Sequence, residues 1–174
     1  MTLWGIIGSV SRRDRGIAMI KRMKKAASAL LVPAVLLTGC AVNFGKQVYD
    51  NEEMIGADYD RYNADYFSQS SEGDTLSGSA EKLEGMRTIK KFDSSGKGEI
   101  SLTYDLNVSS GRAKIALVAP DGTVMIPGEC TAEEEETTGS EQYEAVEGEY
   151  RIKLVGDEGT KLEYEITVET GTEA

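Results

Sequence analysis

The chain has 174 residues, 19 of them basic and 30 acidic, and it contains no histidine. Without imidazole the commonest general base, the usual catalytic triads and histidine metal sites are all excluded. The two cysteines, Cys40 and Cys130, are too few for a disulfide framework.

Residues 1–18 fit no part of a secretory leader, and a start at Met19 or Met23 is expected, which would make 1–18 a start-site artefact. From Met19 the pattern is clear. Lys21, Arg22, Lys24 and Lys25 precede an apolar run from Ala26 to Leu37, which closes on Leu37-Thr38-Gly39-Cys40. A basic segment, a short apolar segment and small residues define a secretory signal. The run is well short of the roughly twenty residues a spanning helix needs, and Pro33 interrupts it. Residues 19–39 resemble the signal peptide of bacterial lipoproteins, and Leu37, Thr38, Gly39 and Cys40 match that family's lipobox. The resemblance implies cleavage before Cys40, a diacylglycerol thioether on its sulfur and acylation of the new amino terminus. It also implies an extracytoplasmic protein held at the bacterial cell membrane by lipid, or at the outer membrane of a two-membrane envelope, where Ala41 resembles the default outer-membrane class. The covalent lipid is the only prosthetic group expected, with no cofactor or metal.

Residues 1–39 hold seven of the basic residues and one acidic residue, so 40–174 carries 12 basic against 29 acidic, a net charge of −17. Such a surface repels nucleic acid and anionic headgroups. Residues 40–80 read as an acidic, Tyr/Ser/Gly-rich tether. Ser68 to Ser79 has linker composition. Ile55, Tyr59, Tyr62 and Tyr66 recur at helical spacing, which predicts a partly helical segment and makes Tyr59, Tyr62 and Tyr66 a candidate interaction surface.

From about Glu81 the period becomes two. Thr88 to Phe92 reads as a strand, followed by a turn over 93–98. Ile100, Leu102, Tyr104, Leu106 and Val108 then alternate with polar residues, as a half-buried strand requires. Ile115 to Ala119 reads as a central strand, with a partner at Thr123 to Ile126 across Pro120-Asp121-Gly122. Gly128 to Gly139 reads as an acidic loop and Tyr143 to Val146 as a short edge strand. Tyr150, Ile152 and Leu154, and then Leu162, Tyr164, Ile166 and Val168, predict a terminal hairpin turning near Glu158. That hairpin would set Lys153 opposite Glu163 and Arg151 opposite Glu165. The expected fold is all-β: an antiparallel β-sandwich of six or seven strands over 81–174, jelly-roll-like, behind a signal peptide and a flexible, partly helical tether. The section Glu99 to Gly122, a strand pair ending in Leu117-Val118-Ala119-Pro120-Asp121-Gly122, resembles the sandwiches appended to secreted bacterial proteins, such as the pre-peptidase C-terminal type, and Gly148 to Gly156 fits the same pattern, which implies an accessory or binding role.

No catalytic set emerges. Ser79-Ala80-Glu81-Lys82 matches S-x-x-K without the companion motifs of penicillin-interacting enzymes. Asp58-Tyr59-Asp60 opens like a calcium loop, but Tyr62 takes the fifth position and no glycine follows. Three functions are expected from these residues. The first is a non-catalytic binding or envelope-structural module, whose partner is the membrane through its lipid and an envelope protein or glycan. The second is a carbohydrate-binding module. The third is a carboxylate-dependent hydrolase.

Overall fold

The computed structural model describes residues 44–171; the leader, Leu37, Thr38, Gly39 and Cys40 lie outside them. The described strands pair antiparallel throughout. Strand β4 (Glu99–Ser110) realises the alternation seen in the sequence: Ile100, Leu102, Tyr104, Leu106 and Val108 are all buried. Strand β5 (Arg112–Val118) is central and apolar on both faces, and it pairs with β6 (Val124–Thr131). Gly122 N donates to Ala119 O at 2.9 Å, so Pro120-Asp121-Gly122 makes the turn that its composition predicts.

Two strands organise the rest, β3 (Thr75–Ser95) and β8 (Glu147–Thr170), each long enough to run through both layers. Sheet I has the order β2 (Ser68–Glu72), the first part of β3, the second part of β8, β4, β7 (Glu136–Glu144). Sheet II has the order β1 (Arg61–Asp65), the remainder of β3, the first part of β8, β5, β6. Leu76, Leu102, Leu106, Leu162 and Ile166 of sheet I meet Ile115, Leu117, Ile152 and Leu154 of sheet II in one core. Tyr104 Oη crosses that core and donates to Pro127 O at 2.6 Å, tying β4 to β6.

The terminal hairpin is therefore not formed. Tyr150 to Leu154 and Leu162 to Val168 are parts of one strand: Leu154 lies opposite Ile115 and Arg87, while Leu162 lies opposite Ala80 and Val108. Gly156 and Gly159, which flank the turn expected near Glu158, instead mark the bend at which β8 leaves one layer for the other. Gly156 packs so closely on Leu83 that a Cβ there would lie 2.6 Å from its carbonyl oxygen. Arg151 and Lys153 consequently never face Glu165 and Glu163.

The segment expected as a tether also folds. Helix α1 (Phe44–Tyr49) and helix α2 (Glu52–Gly56), the latter capped by Asn51 Oδ1 accepting from Met54 N at 3.0 Å, lie on the outer face of sheet II. There Val48, Tyr49 and Ile55 close a second cluster with Met86, Ala116, Val118 and Val155. Each such burial contributes about 1.5–3 kcal/mol. The helical stripe over 55–66 stops at Gly56, because the chain beyond it is claimed by two cations of β8. Arg151 donates to Gly56 O at 3.1 Å and to Ala57 O at 2.8 Å. The fully buried Lys153 ammonium donates to Ala57 O at 2.7 Å and Tyr59 O at 2.9 Å. The Ser-rich stretch forms β2 and the start of β3 around Gly73 and Asp74. The boundary expected at residue 80 thus falls inside β3.

Candidate ligand-binding face

Helices cover the outer face of sheet II, whereas the outer face of sheet I is open and polar over five strands. Strand register builds it in rows. One row runs Glu72, Thr75, Thr167, Thr103, Ser140; the next runs Ser70, Ser77, Glu165, Asp105, Thr138; the third runs Ser68, Ser79, Glu163, Asn107, Glu136. Short hydroxyl contacts hold neighbouring strands together: Ser68 to Ser79, Ser70 to Ser77 and Thr75 to Thr167, each at 2.8 Å, and Thr103 to Ser140 at 3.1 Å. Asn107 Nδ2 donates to Asp105 Oδ1 at 2.6 Å. Asp105 and Glu165 stand directly opposite, as do Ser101 and Glu169. A directly opposed carboxylate pair is unfavourable in a sheet, and Asp93 with Glu149 and Glu99 with Glu144 repeat the arrangement elsewhere.

Shallow recesses on this face share residues and run together. Ser79 joins the one beside Tyr66 to the one above Gly78. Asn107 and Glu163 carry it on towards Ala132 and Glu135. At the β2 rim stands Tyr66, 87% exposed. Its φ of +50° is left-handed, a conformation that β-carbon sterics disfavour. The chain adopts it there because Tyr66 and Phe67 alone carry it from β1 on sheet II to β2 on sheet I. Phe67 turns inward under the Arg87 guanidinium, 3.7 Å from the ring centroid, and Tyr66 turns out.

The three candidate tyrosines are therefore separated. Tyr66 borders the polar face. Tyr62 sits in β1 with Arg87 5.0 Å from its ring centroid, and Tyr59 follows α2 on the other side of the sandwich. Their helical spacing is not used. Cys40 and its lipobox neighbours lie outside the described residues. The other motifs have structural partners. Asp60 Oδ1 accepts from Thr88 N at 2.9 Å and Thr88 Oγ1 at 2.6 Å, and Glu134 Oε2 accepts from Thr131 N and Oγ1 at 3.0 Å. Lys82 pairs with Glu84 at 3.7 Å. Among the described residues no cluster of three or more side chains is arranged to hold a metal ion. Burial raises the Cys130 thiol, with Glu134 adding to the shift, so the thiolate is disfavoured. The polar positions of β4 and β8 were visible as the wet half of an alternating pattern. The contribution of 68–79 was hidden by its linker composition.

The molecule is thus a small antiparallel β-sandwich, jelly-roll-like in its layering. No protein-family model and no curated protein sequence matches the chain, and the resemblance to the pre-peptidase C-terminal type finds no support there. Among solved structures it is similar to a family 6 carbohydrate-binding module of a Cellvibrio mixtus lichenase in complex with cellotriose. That likeness has a TM-score of 0.36 and 11% identity, and covers 63% of this chain and 90% of that one. A family 29 module complexed with mannohexaose gives a TM-score of 0.36 at 14% identity over 62% of this chain and 80% of that one. The C-terminal family 6 module of a laminarinase from Zobellia galactanivorans gives 0.35 at 13% identity over 63% and 93%.

Proposed function

We propose that the protein is a non-catalytic binding module that takes an uncharged, polyhydroxylated ligand, a neutral glycan, across the outer face of sheet I. The observation that supports this most is the continuous polar face itself, bordered by the outward-facing Tyr66. Serine and threonine hydroxyls, the Asn107 amide and the Asp105, Glu163 and Glu165 carboxylates are complementary to sugar hydroxyls that both donate and accept. Hydroxyls donated between Asp105 and Glu165 would relieve their opposition. Tyr66 offers an aromatic plane to the apolar side of a sugar ring. The face is an open ledge, not the concave apolar pocket favoured by small molecules, and it suits an extended chain. Its carboxylates disfavour anionic polymers. In this reading Cys40 carries the lipid, the protein is extracytoplasmic and membrane-anchored, and no cofactor takes part. The first function expected from the sequence, a binding or envelope-structural module, yields in this reading to the second, a carbohydrate-binding module. Hydrolysis by Asp105 and Glu165 is disfavoured because a glycosidic acid is kept protonated by an enclosed apolar setting, which an open ledge does not supply.

Affinity electrophoresis and calorimetry of residues 41–174 against β-glucans, mannans and chitin oligosaccharides test the proposal. Binding to at least one is expected, with a loss of about tenfold or more in Tyr66→Ala and in Asp105→Ala and no release of reducing ends. Failure of every neutral glycan to bind, or unchanged affinity in Tyr66→Ala, would refute it.

A further inference from the structure

Cys40 stands four residues before Phe44, the first residue of α1. At no more than about 3.5 Å per residue, its Cα lies within about 14 Å of that helix by covalent reach alone. Helix α1 is fixed to the domain. Val48 and Tyr49 are buried beneath it, and Gly45 is packed so tightly that a Cβ there would lie 2.9 Å from the Asp157 carbonyl carbon. Tyr49 Oη donates to Glu129 at 2.7 Å, while Arg112 and Lys114 approach its ring at 4.2 Å and 4.0 Å. Beyond α2, Arg151 and Lys153 hold the chain down through the carbonyls of Gly56, Ala57 and Tyr59. An anchor at Cys40 would therefore be joined to this fixed helix through a span of at most about 14 Å.

We propose that the α1–α2 face is the side of the molecule turned to a lipid bilayer, so that the polar face of sheet I points away from the membrane. This rests on the reading of Cys40 as the lipid-bearing residue. Two further features carry the same assignment. Charge is unevenly spread: the outer face of sheet I gathers Asp105, Glu163, Glu165 and Glu169, and its Lys161 is already paired with Glu81 at 2.8 Å. Lys46, Arg61, Lys91, Arg112 and Lys114 instead lie on or beside the helical side, with Lys91 paired to Glu149 and Arg112 to Asp157, and they share it with the exposed carboxylates of Asp50, Glu52, Glu53, Asp58 and Asp60. Anionic headgroups oppose the first face, where carboxylates stand almost without cations, more than the second, where the two signs are mixed. The helical side also presents Tyr59, 48% exposed, and the partly exposed Phe44 under the Arg61 guanidinium, which lies 4.3 Å from its ring centroid. Aromatic residues next to cations suit the headgroup region.

The only tryptophan, Trp4, precedes Cys40, so the chain 40–174 is free of it and single reporters can be placed. Cys40 of that chain is coupled to maleimide lipid in phosphatidylcholine–phosphatidylglycerol vesicles that also carry a dansyl headgroup lipid. The buried Cys130 stays unreacted, which peptide mass verifies. Energy transfer to dansyl is then compared between Tyr59→Trp and Tyr66→Trp. Sheets pack about 10 Å apart and Tyr66 stands where the chain crosses from sheet II to sheet I, so the two donors differ by on the order of 10 Å in height and transfer is expected to be higher from Tyr59→Trp. Equal transfer, or higher transfer from Tyr66→Trp, overturns the orientation. Coupling supplies the anchor chemically, so this outcome is independent of lipidation itself. That is read separately by palmitate labelling of the full chain in cells against Cys40→Ser.

Discussion

Tyr164 places a phenol in the core with no partner for its hydroxyl, the only such buried side-chain atom among the described residues. Its ring lies across Gly78, where a Cβ would come within 2.6 Å of the oxygen; a glycine is needed at that crossing. Burial pushes the Tyr164 hydroxyl up to about 12, against a smaller pull downward from Arg87. A raised value means that the folded state holds its proton after the unfolded chain has lost it. The contribution is therefore complete below pH 10 and disappears as pH rises through about 12. Tyr164→Phe removes both the unpaired oxygen and this dependence. Urea denaturation should show the variant more stable by about 1 kcal/mol at pH 7. The gap over wild type should widen between pH 10 and pH 12. A gap that stays constant with pH would contradict the burial account. Lys153 is shifted the other way: burial lowers it, Asp60 and Asp58 pull it back, and Arg151 and Lys91 add to the lowering. Its carbonyl partners, not a close carboxylate, are what hold it in place, since Asp60 is 3.9 Å away.

At the scale of elements, that lysine decides whether 44–60 is a tether or a layer. Lys153→Ala leaves the carbonyl of Tyr59 unpaired under the strap and Ala57 O with Arg151 alone, and is expected to cost about 1–3 kcal/mol. Hydrogen exchange should then quicken in 44–60 before it does in β4. Uniform quickening would mean that the strap and the sandwich form one cooperative unit. The same residues explain what was legible in the sequence. Strand β4, strand β5 and the turn at Pro120 were read correctly, because period two, an apolar run and turn residues are local properties. The pattern in 150–168 was also read correctly as two alternating stretches, but alternation does not say which strand lies alongside. A hairpin and a bent strand share the same period and the same glycines, and only the partners Ala80, Arg87, Val108 and Ile115 distinguish them. Lys153 looked like a wet-face residue because the covering layer came from a hundred residues earlier. The serine run looked like linker because side chains that bond across strands have the composition of chains that bond to water. The polar face of the site was half visible in β4 and wholly invisible as a surface, since it is assembled from strands distant in sequence.

On the scale of the whole molecule, a net charge of −17 over residues 40–174 places self-repulsion against folding, and the repulsion is concentrated on sheet I. Moderate salt should therefore stabilise the fold by screening. Affinity for a neutral glycan, held by hydrogen bonds and a ring contact, should change by less than about twofold over the same range. A steep salt dependence in calorimetry would point to a charged ligand.

Strand β8 also dictates when the molecule can exist at all. It lies at the centre of both sheets, so β3, β4 and β5 all wait for a neighbour made after them. A nascent chain ending near residue 146 has β4 without its inner partner, β5 without one side and β3 without its main contact. Closure is then a late, long-range event, of the kind that folds slowly. Until the two dozen residues of β8 arrive, neither sheet has the strand that joins its two halves.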